Sequence, residues 1–259
     1  SLLYLGILVT SSVVFLLFGV ISVWMFAGTL DFASGGILAG RMDPGYVPLL
    51  LGLFAFGIGK AALMPLHRWL PAAMVAPTPV SALLHAVAVV KAGVFSMLKI
   101  SIYIFGIDFL ATTSASDWLV WVAAFSILAA SIVALSKTNL KARLAYSTIS
   151  QLGYIVLGAA LASPLAVSGA ALHIATHATG KITLFFCAGA IYVAHHLSDI
   201  RDMDGLGRRM PITFSAFALG ALSIIGVPPL AGAWSKLMLM GGAMQSEFLI
   251  IIFVLAVSS

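Results

Sequence analysis

Runs of about twenty apolar residues, separated by short loops, constrain this chain more than any other feature. A helix rises about 1.5 Å per residue, so a run of that length spans the roughly 30 Å hydrocarbon core of a bilayer. Seven such runs and a partial eighth are legible: residues 2–28, 47–70, 79–105, 117–136, 143–162, 167–194, 211–240 and 248–259. Composition points the same way: only 8% of residues are charged, against about a quarter in soluble domains. The longest polar stretch, His195 to Met210, is too short to enclose a core. The sequence therefore predicts an all-α polytopic membrane protein.

The first run lacks the basic flank and cleavage site of a signal peptide and is too long to be one. The chain starts at Ser1 without a methionine and stops inside an apolar run too short to span. Both ends therefore read as cuts in a longer protein. The single cysteine, Cys187, lies in an apolar run and offers no disulfide or metal framework. The net charge of +5 is better explained by a positive-inside bias than by nucleic-acid binding. Loops near 29–46, 106–116, 163–166 and 241–247 carry Asp31, Asp43, Asp108 and Glu247 with one basic residue, Arg41. The opposite side carries Arg68, Lys137, Lys141, Arg143, Arg201, Arg208 and Arg209. Lysine and arginine excess marks the cytoplasmic side.

Two runs are interrupted. The second carries Gly57, Gly59 and Pro65 around Lys60, and the seventh carries "GVPPLAGAWSK", with Pro228 and Pro229 before Lys236. Proline removes a backbone donor and breaks a helix. In a membrane such breaks survive only where protein or water satisfies the freed groups. The two runs lie five apart and so cross in opposite directions. A matched pair of this kind points to an inverted repeat with an ion site near the breaks.

All eight acidic residues fall in loops or at helix ends. The charge within the spans is therefore basic: Lys60, Lys91 and Lys181 near mid-depth, and Lys236 after its break. Each such lysine costs roughly 2.5–3.5 kcal/mol on insertion scales, so it is expected to be paired or to act. His173, His177 and Lys181 recur every four residues and share one helix face. His85 lies six residues before Lys91, a spacing that puts the two on different faces. Histidine titrates near neutral pH, so such a row, linked by water, can pass protons in small steps. The plainer reading of His173 and His177 is a helix-to-helix hydrogen bond. A metal site on that face would lack any carboxylate or thiol. Lys99, Lys137 and Lys141 lie near helix ends, where a long stem lifts the ammonium to the interface. His67, Arg68 and Trp69 read as an interfacial anchor. His195, His196 and Asp199 read as a solvated loop start. "GIGKAA" lacks the spacing of a phosphate loop and lies within the membrane.

Four stretches, "GKAALMPLHRWLPAAMVAPTPVSALLHA", "LKARLAYSTISQLGY", "HATGKITLFFCAGAI" and "GVPPLAGAWSK", resemble the antiporter-like subunits. That family comprises the proton-pumping membrane subunits of respiratory complex I, the large subunits of Mrp-type Na+/H+ antiporters, and related subunits of membrane-bound hydrogenases. The resemblance implies a fourteen-helix bundle with inverted five-helix repeats, of which this chain would be about helices six to thirteen. Residues 1–259 would form one proton-conducting domain, truncated at both ends. Residues 1–110 would end the first repeat, and 115–259 would form an incomplete second. By the same resemblance Lys60 is the broken-helix proton carrier, whose glutamate partner would precede Ser1. His85 and Lys91 connect the half-channels, His173, His177 and Lys181 form a relay, and Lys236 is the terminal carrier. Lys141 is a candidate proton-uptake group.

The presence of both His85 and Lys91, with "GKITLFFCAGAIYVA", leans towards the D-type subunit of a multisubunit Mrp antiporter exchanging a monovalent cation such as Na+ for H+. The rivals are a subunit of NADH:quinone oxidoreductase or of a membrane-bound hydrogenase, and a non-transporting scaffold. No haem, flavin, iron–sulfur or nucleotide motif is present, so no cofactor and no catalytic chemistry of its own are expected. The expected partners are other membrane subunits, in a bacterial or archaeal cytoplasmic membrane.

Overall fold

The computed structural model describes residues 2–259. The chain runs α1 (Leu2–Ala27), α2 (Val47–Gly57), α3 (Trp69–Ala72), α4 (Thr78–Phe105), α5 (Ile107–Thr113), α6 (Asp117–Ser136) and α7 (Leu140–Ala160). It continues through α8 (Pro164–His195), α9 (Leu206–Arg209), α10 (Pro211–Ile225), α11 (Ala231–Gln245) and α12 (Leu249–Val257). Among the described residues there is no strand, only an isolated bridge between Asn139 and Asp199. Helices α1, α4, α6 and α8 are each long and apolar enough to cross a membrane.

The second and seventh apolar runs each divide in two. Residues 47–70 become α2 and α3 with an irregular segment between them, and 211–240 become α10 and the start of α11. The second break lies at Gly226, where φ is +91°. Glycine reaches that left-handed region without the penalty a Cβ imposes. The loop expected at 106–116 contains the short helix α5.

Helix α7 is the hub. Every residue from Thr148 to Ala160 is buried, with α6 on one side and α8 on the other. In turn α8 packs against α4, α10 and α11. A helix buried all round needs no apolar stripe, which is why α7 can carry Gln151 and several hydroxyls without exposing them. Large apolar side chains such as Phe125, Leu135, Ile212 and Phe253 stand exposed on the outer helices. On a water-soluble surface a belt like this would drive association; in a polytopic membrane protein it meets lipid.

Local sequence explains the helix ends. Asn139 accepts from the Ala142 amide at the start of α7, and Ser163 accepts from Ala166 at the start of α8, just ahead of Pro164. Such caps satisfy amides that the helix leaves free. Arg143 donates to the Lys137 and Leu135 carbonyls at the end of α6. The loop after α1 is tied to the end of α4: Ile37 and Leu38 donate to Ile104, and Ala33 donates to Tyr103. Gly36 makes that approach feasible, because a Cβ there would fall 2.4 Å from the Phe105 carbonyl oxygen.

Candidate functional site

The first break surrounds Lys60. Helix α2 ends at Gly57, and Lys60 sits in the single turn Gly59–Ala61. The sequence places Lys60 at a helix break and among the charges buried at mid-depth. Instead its side chain is exposed in this chain, beside a cavity of about 460 Å³ also lined by Ser12, Ser96 and Lys99.

Gly57 and Gly59 stand at this break, where the helix ends, and they also permit close packing. A Cβ on Gly57 would lie 2.5 Å from the Leu16 backbone nitrogen, and one on Gly59 would lie 2.4 Å from Ser11 Oγ. Both glycines let α1 press against the break. From the other side Gly93 does the same, since a Cβ there would lie 2.5 Å from Lys60 and Ala61 backbone atoms.

Trp69 is not an interfacial anchor. It is fully buried, and its indole Nε1–H donates to the Gly59 carbonyl at 3.0 Å. A helix break frees carbonyls that lipid cannot satisfy, and this indole satisfies one of them. His67 is half-buried beside Tyr146, and Arg68 is exposed.

The remaining candidates converge across the bundle. Lys91 is 6% exposed, Lys236 4% and Lys181 0%. Lys91 Nζ lies 2.5 Å from His177 Nδ1. The His177 ring stacks on that of His173 at 5.9 Å between centroids, as the four-residue spacing predicts. Spacing alone does not disclose His85. Six residues put it on a different face from Lys91, yet both face α8. The widened turn Leu83–Val87, which contains His85, resets the helical phase before Lys91. Their neighbours do differ: His85 packs on the Phe185 ring at 5.3 Å. Among the described residues neither His85 ring nitrogen has a hydrogen-bond partner, and nor does His177 Nε2.

His173 is held on both sides. Its Nε2 lies 3.0 Å from Gln151 Oε1 and its Nδ1 2.9 Å from Ser235 Oγ. Its ring stacks on Tyr154 at 5.4 Å. Lys236 Nζ lies 5.0 Å over the same tyrosine ring and donates to Ile225 O and Ser259 Oγ. The Tyr154 hydroxyl donates to Leu255 O and lies 2.6 Å from Ser258 Oγ. Lys181 donates to the Leu144 carbonyl at 3.2 Å. Among the described residues none of these buried lysines hydrogen-bonds to a carboxylate; their partners are an imidazole, carbonyls and a hydroxyl.

The helix-end lysines lie on aromatic faces: Lys99 on Phe32, Lys137 on Tyr146 and Lys141 on Tyr192. That is the contact expected of an ammonium at an interface. Pro65, Pro228 and Pro229 all fall in the two irregular segments. Gln151, Tyr154, Ser235 and Trp69 escape a sequence reading as site residues, because nothing in a sequence marks a hydroxyl or amide as facing a buried histidine. Among the described residues no three His, Cys, Asp or Glu side chains gather as a metal site.

The family model described as NADH:quinone oxidoreductase/Mrp antiporter, TM, matches residues 1–259. The chain is 38% identical over 260 residues to NADH-quinone oxidoreductase subunit N of Desulforudis audaxviator, covering 96% of this chain and 50% of that protein. It is 40% identical over 216 residues to a probable K(+)/H(+) antiporter protein of Rhizobium meliloti, covering 83% of this chain and 21% of that one. The chain thus spans half or less of the length of these relatives. In structure it is similar to a chain of the Mrp complex from a Dietzia species, with a TM-score of 0.86, 26% identity and coverage of 99% of this chain and 47% of that one. The chain belongs to the NADH:quinone oxidoreductase/Mrp antiporter transmembrane family.

Proposed function

We propose that this chain is the proton-conducting part of an antiporter-like membrane subunit. The observation that carries this reading is the file of buried basic groups Lys91, His177 and His173, joined to Lys236 by the face of Tyr154. Buried lysines are costly in a bilayer and rarely retained without a use. A proton would move by changes of partner along Lys60, Lys91, Lys181 and Lys236, through His85, His173, His177 and water. Lys141, at the start of α7, is the proposed uptake group. The Gly57–Pro65 and Pro228–Pro229 breaks are proposed to be the matched sites of two inverted repeats, of which residues 1–110 are the end of the first and 115–259 an incomplete second.

The finer reading is a D-type subunit of a multisubunit antiporter exchanging Na+ or another monovalent cation for H+. Its support is the match to the Mrp complex fold and to a probable K(+)/H(+) antiporter protein. A second reading, a proton-pumping subunit of a quinone oxidoreductase, is supported by the identity to subunit N. Either reading requires other membrane subunits as partners. We place the protein in a bacterial or archaeal cytoplasmic membrane.

The test uses the full-length parent complex in proteoliposomes, with ion-driven pH changes followed by an internal dye. Lys60→Ala and Lys236→Ala should each abolish the signal. Undiminished transport in both would refute the relay. Redox subunits encoded beside this one would favour the oxidoreductase reading, and small antiporter subunits would favour the antiporter.

A further inference from the structure

Ser235 is fully buried at the start of the second turn of α11, one residue before Lys236. Its Oγ stands between two partners: the Gly232 carbonyl oxygen at 3.0 Å and His173 Nδ1 at 2.9 Å. Thr176 Oγ1 lies at 3.4 Å. On the far side of the same imidazole, Nε2 faces the Gln151 carbonyl oxygen, which only accepts. In this arrangement Nε2–H donates to Gln151 Oε1, and Nδ1 is the position whose proton varies.

A hydroxyl has one proton and two lone pairs. When Nδ1 is bare, the Ser235 proton points to it and Gly232 loses that donor. When Nδ1 is protonated, its N–H donates to Ser235 Oγ, and the hydroxyl proton turns to Gly232 O. Only the hydroxyl rotates. The one bond formed is Nδ1–H, with a proton delivered along the relay, and the positive charge rests on the imidazole. In both states Nδ1 and Oγ remain hydrogen-bonded. A plain helical back-bond from serine to the carbonyl three residues earlier accounts for the Gly232 contact. It does not account for a histidine nitrogen on the other side.

We propose that Ser235 is a positioning residue, a two-position hydroxyl that lets buried His173 hold either one ring proton or two. This rests on the proton-relay reading. It makes the start of α11, beyond the Pro228–Pro229 break, a sensor of the charge on α8, because Ser235 and Lys236 are neighbours there. The other titratable groups facing His173 are Tyr154 from α7, His177 from its own helix, Lys91 from α4 and Lys236 from α11.

The test is Ser235→Ala in the full-length complex, reconstituted and assayed for ion-driven proton movement at several pH values. Losing the hydroxyl removes an acceptor from the charged ring and a donor to the neutral one, and a hydrogen bond to a charged group is the stronger. Transport should fall roughly tenfold near neutral pH, with the deficit shrinking as pH is lowered. Ser235→Thr, which keeps the hydroxyl, should recover most of it. Wild-type transport by Ser235→Ala at every pH, or a deficit of equal size at every pH, would overturn the inference. Lys236→Ala is run beside it. If that variant is inactive while Ser235→Ala is normal, the relay stands and only the role of Ser235 falls. If both transport normally, the relay and this inference fall together.

Discussion

Lys91 and His177, 86 residues apart in sequence, meet nitrogen to nitrogen at 2.5 Å in the middle of the bundle. Two fully protonated groups cannot make this contact, because an ammonium and an imidazolium are both donors only. One of the two facing nitrogens must be bare. The pair therefore always has room for one more proton, at the price of its hydrogen bond. Replacing Lys91 with methionine keeps the length and removes the proton. Replacing it with arginine keeps the charge but not the ability to give the proton up. Both variants should lower transport, on the order of a hundredfold. An arginine variant with near-normal rates in proteoliposomes would mean that Lys91 acts through its charge alone.

Trp69 satisfies the Gly59 carbonyl at the first break. Trp69→Phe keeps the ring bulk while leaving that carbonyl unpaired, which costs about 1–3 kcal/mol. Thermal unfolding of the detergent-solubilised complex should occur at a lower temperature. An unchanged midpoint would show that another donor reaches Gly59.

Tyr154 offers its face to His173 and Lys236 and its hydroxyl to the end of α12. These roles separate by substitution. Tyr154→Phe keeps the face, so transport should stay within about threefold, the worth of one ordinary hydrogen bond. Tyr154→Leu loses the face and should transport about thirtyfold more slowly, in line with a desolvated cation–π contact of about 2 kcal/mol. Equal rates in the two variants would remove the ring from the relay.

Outside the membrane, the Arg201 amide at 3.0 Å and the Thr138 hydroxyl hold the Asp199 carboxyl below its ordinary value. A carboxylate stabilised in the fold contributes fully above its unfolded pKa of about 3.9 and loses that contribution as pH falls through the lower folded value. Amide exchange across residues 196–205 should therefore speed up below about pH 4 beyond its intrinsic trend. Asp199→Asn, which keeps an acceptor but cannot titrate, should flatten that rise.

What could be read from the sequence was what periodicity and cost enforce. Apolar runs gave the spans, paired glycines and prolines gave the two breaks, and the four-residue step gave the His173–His177–Lys181 face. What stayed hidden depended on partners distant in sequence. Trp69 looks interfacial until the free Gly59 carbonyl is seen above it. His85 and Lys91 look opposed until the widened turn that contains His85 is counted. Ser235 is one hydroxyl among many until Nδ1 of His173 is found against it. Lys60 is recognisable by type, but its place in the short Gly59–Ala61 turn and its exposure in this chain are not encoded in composition.

Gly93 has a mechanical consequence. It lies two residues beyond Lys91 on α4, and its missing side chain lets the Lys60 turn rest directly on that helix. Gly93→Ala should therefore disturb the first break by overpacking, about 1–3 kcal/mol, whereas Gly6→Ala, with nothing within 4 Å, should be silent in the same unfolding assay. Backbone against backbone leaves no slack. A slide or roll of α4 prompted by a new proton arrangement at Lys91 would be handed straight to Lys60. A single residue that carries no charge thus sets the steric contact between the Lys60 turn and the helix that holds Lys91.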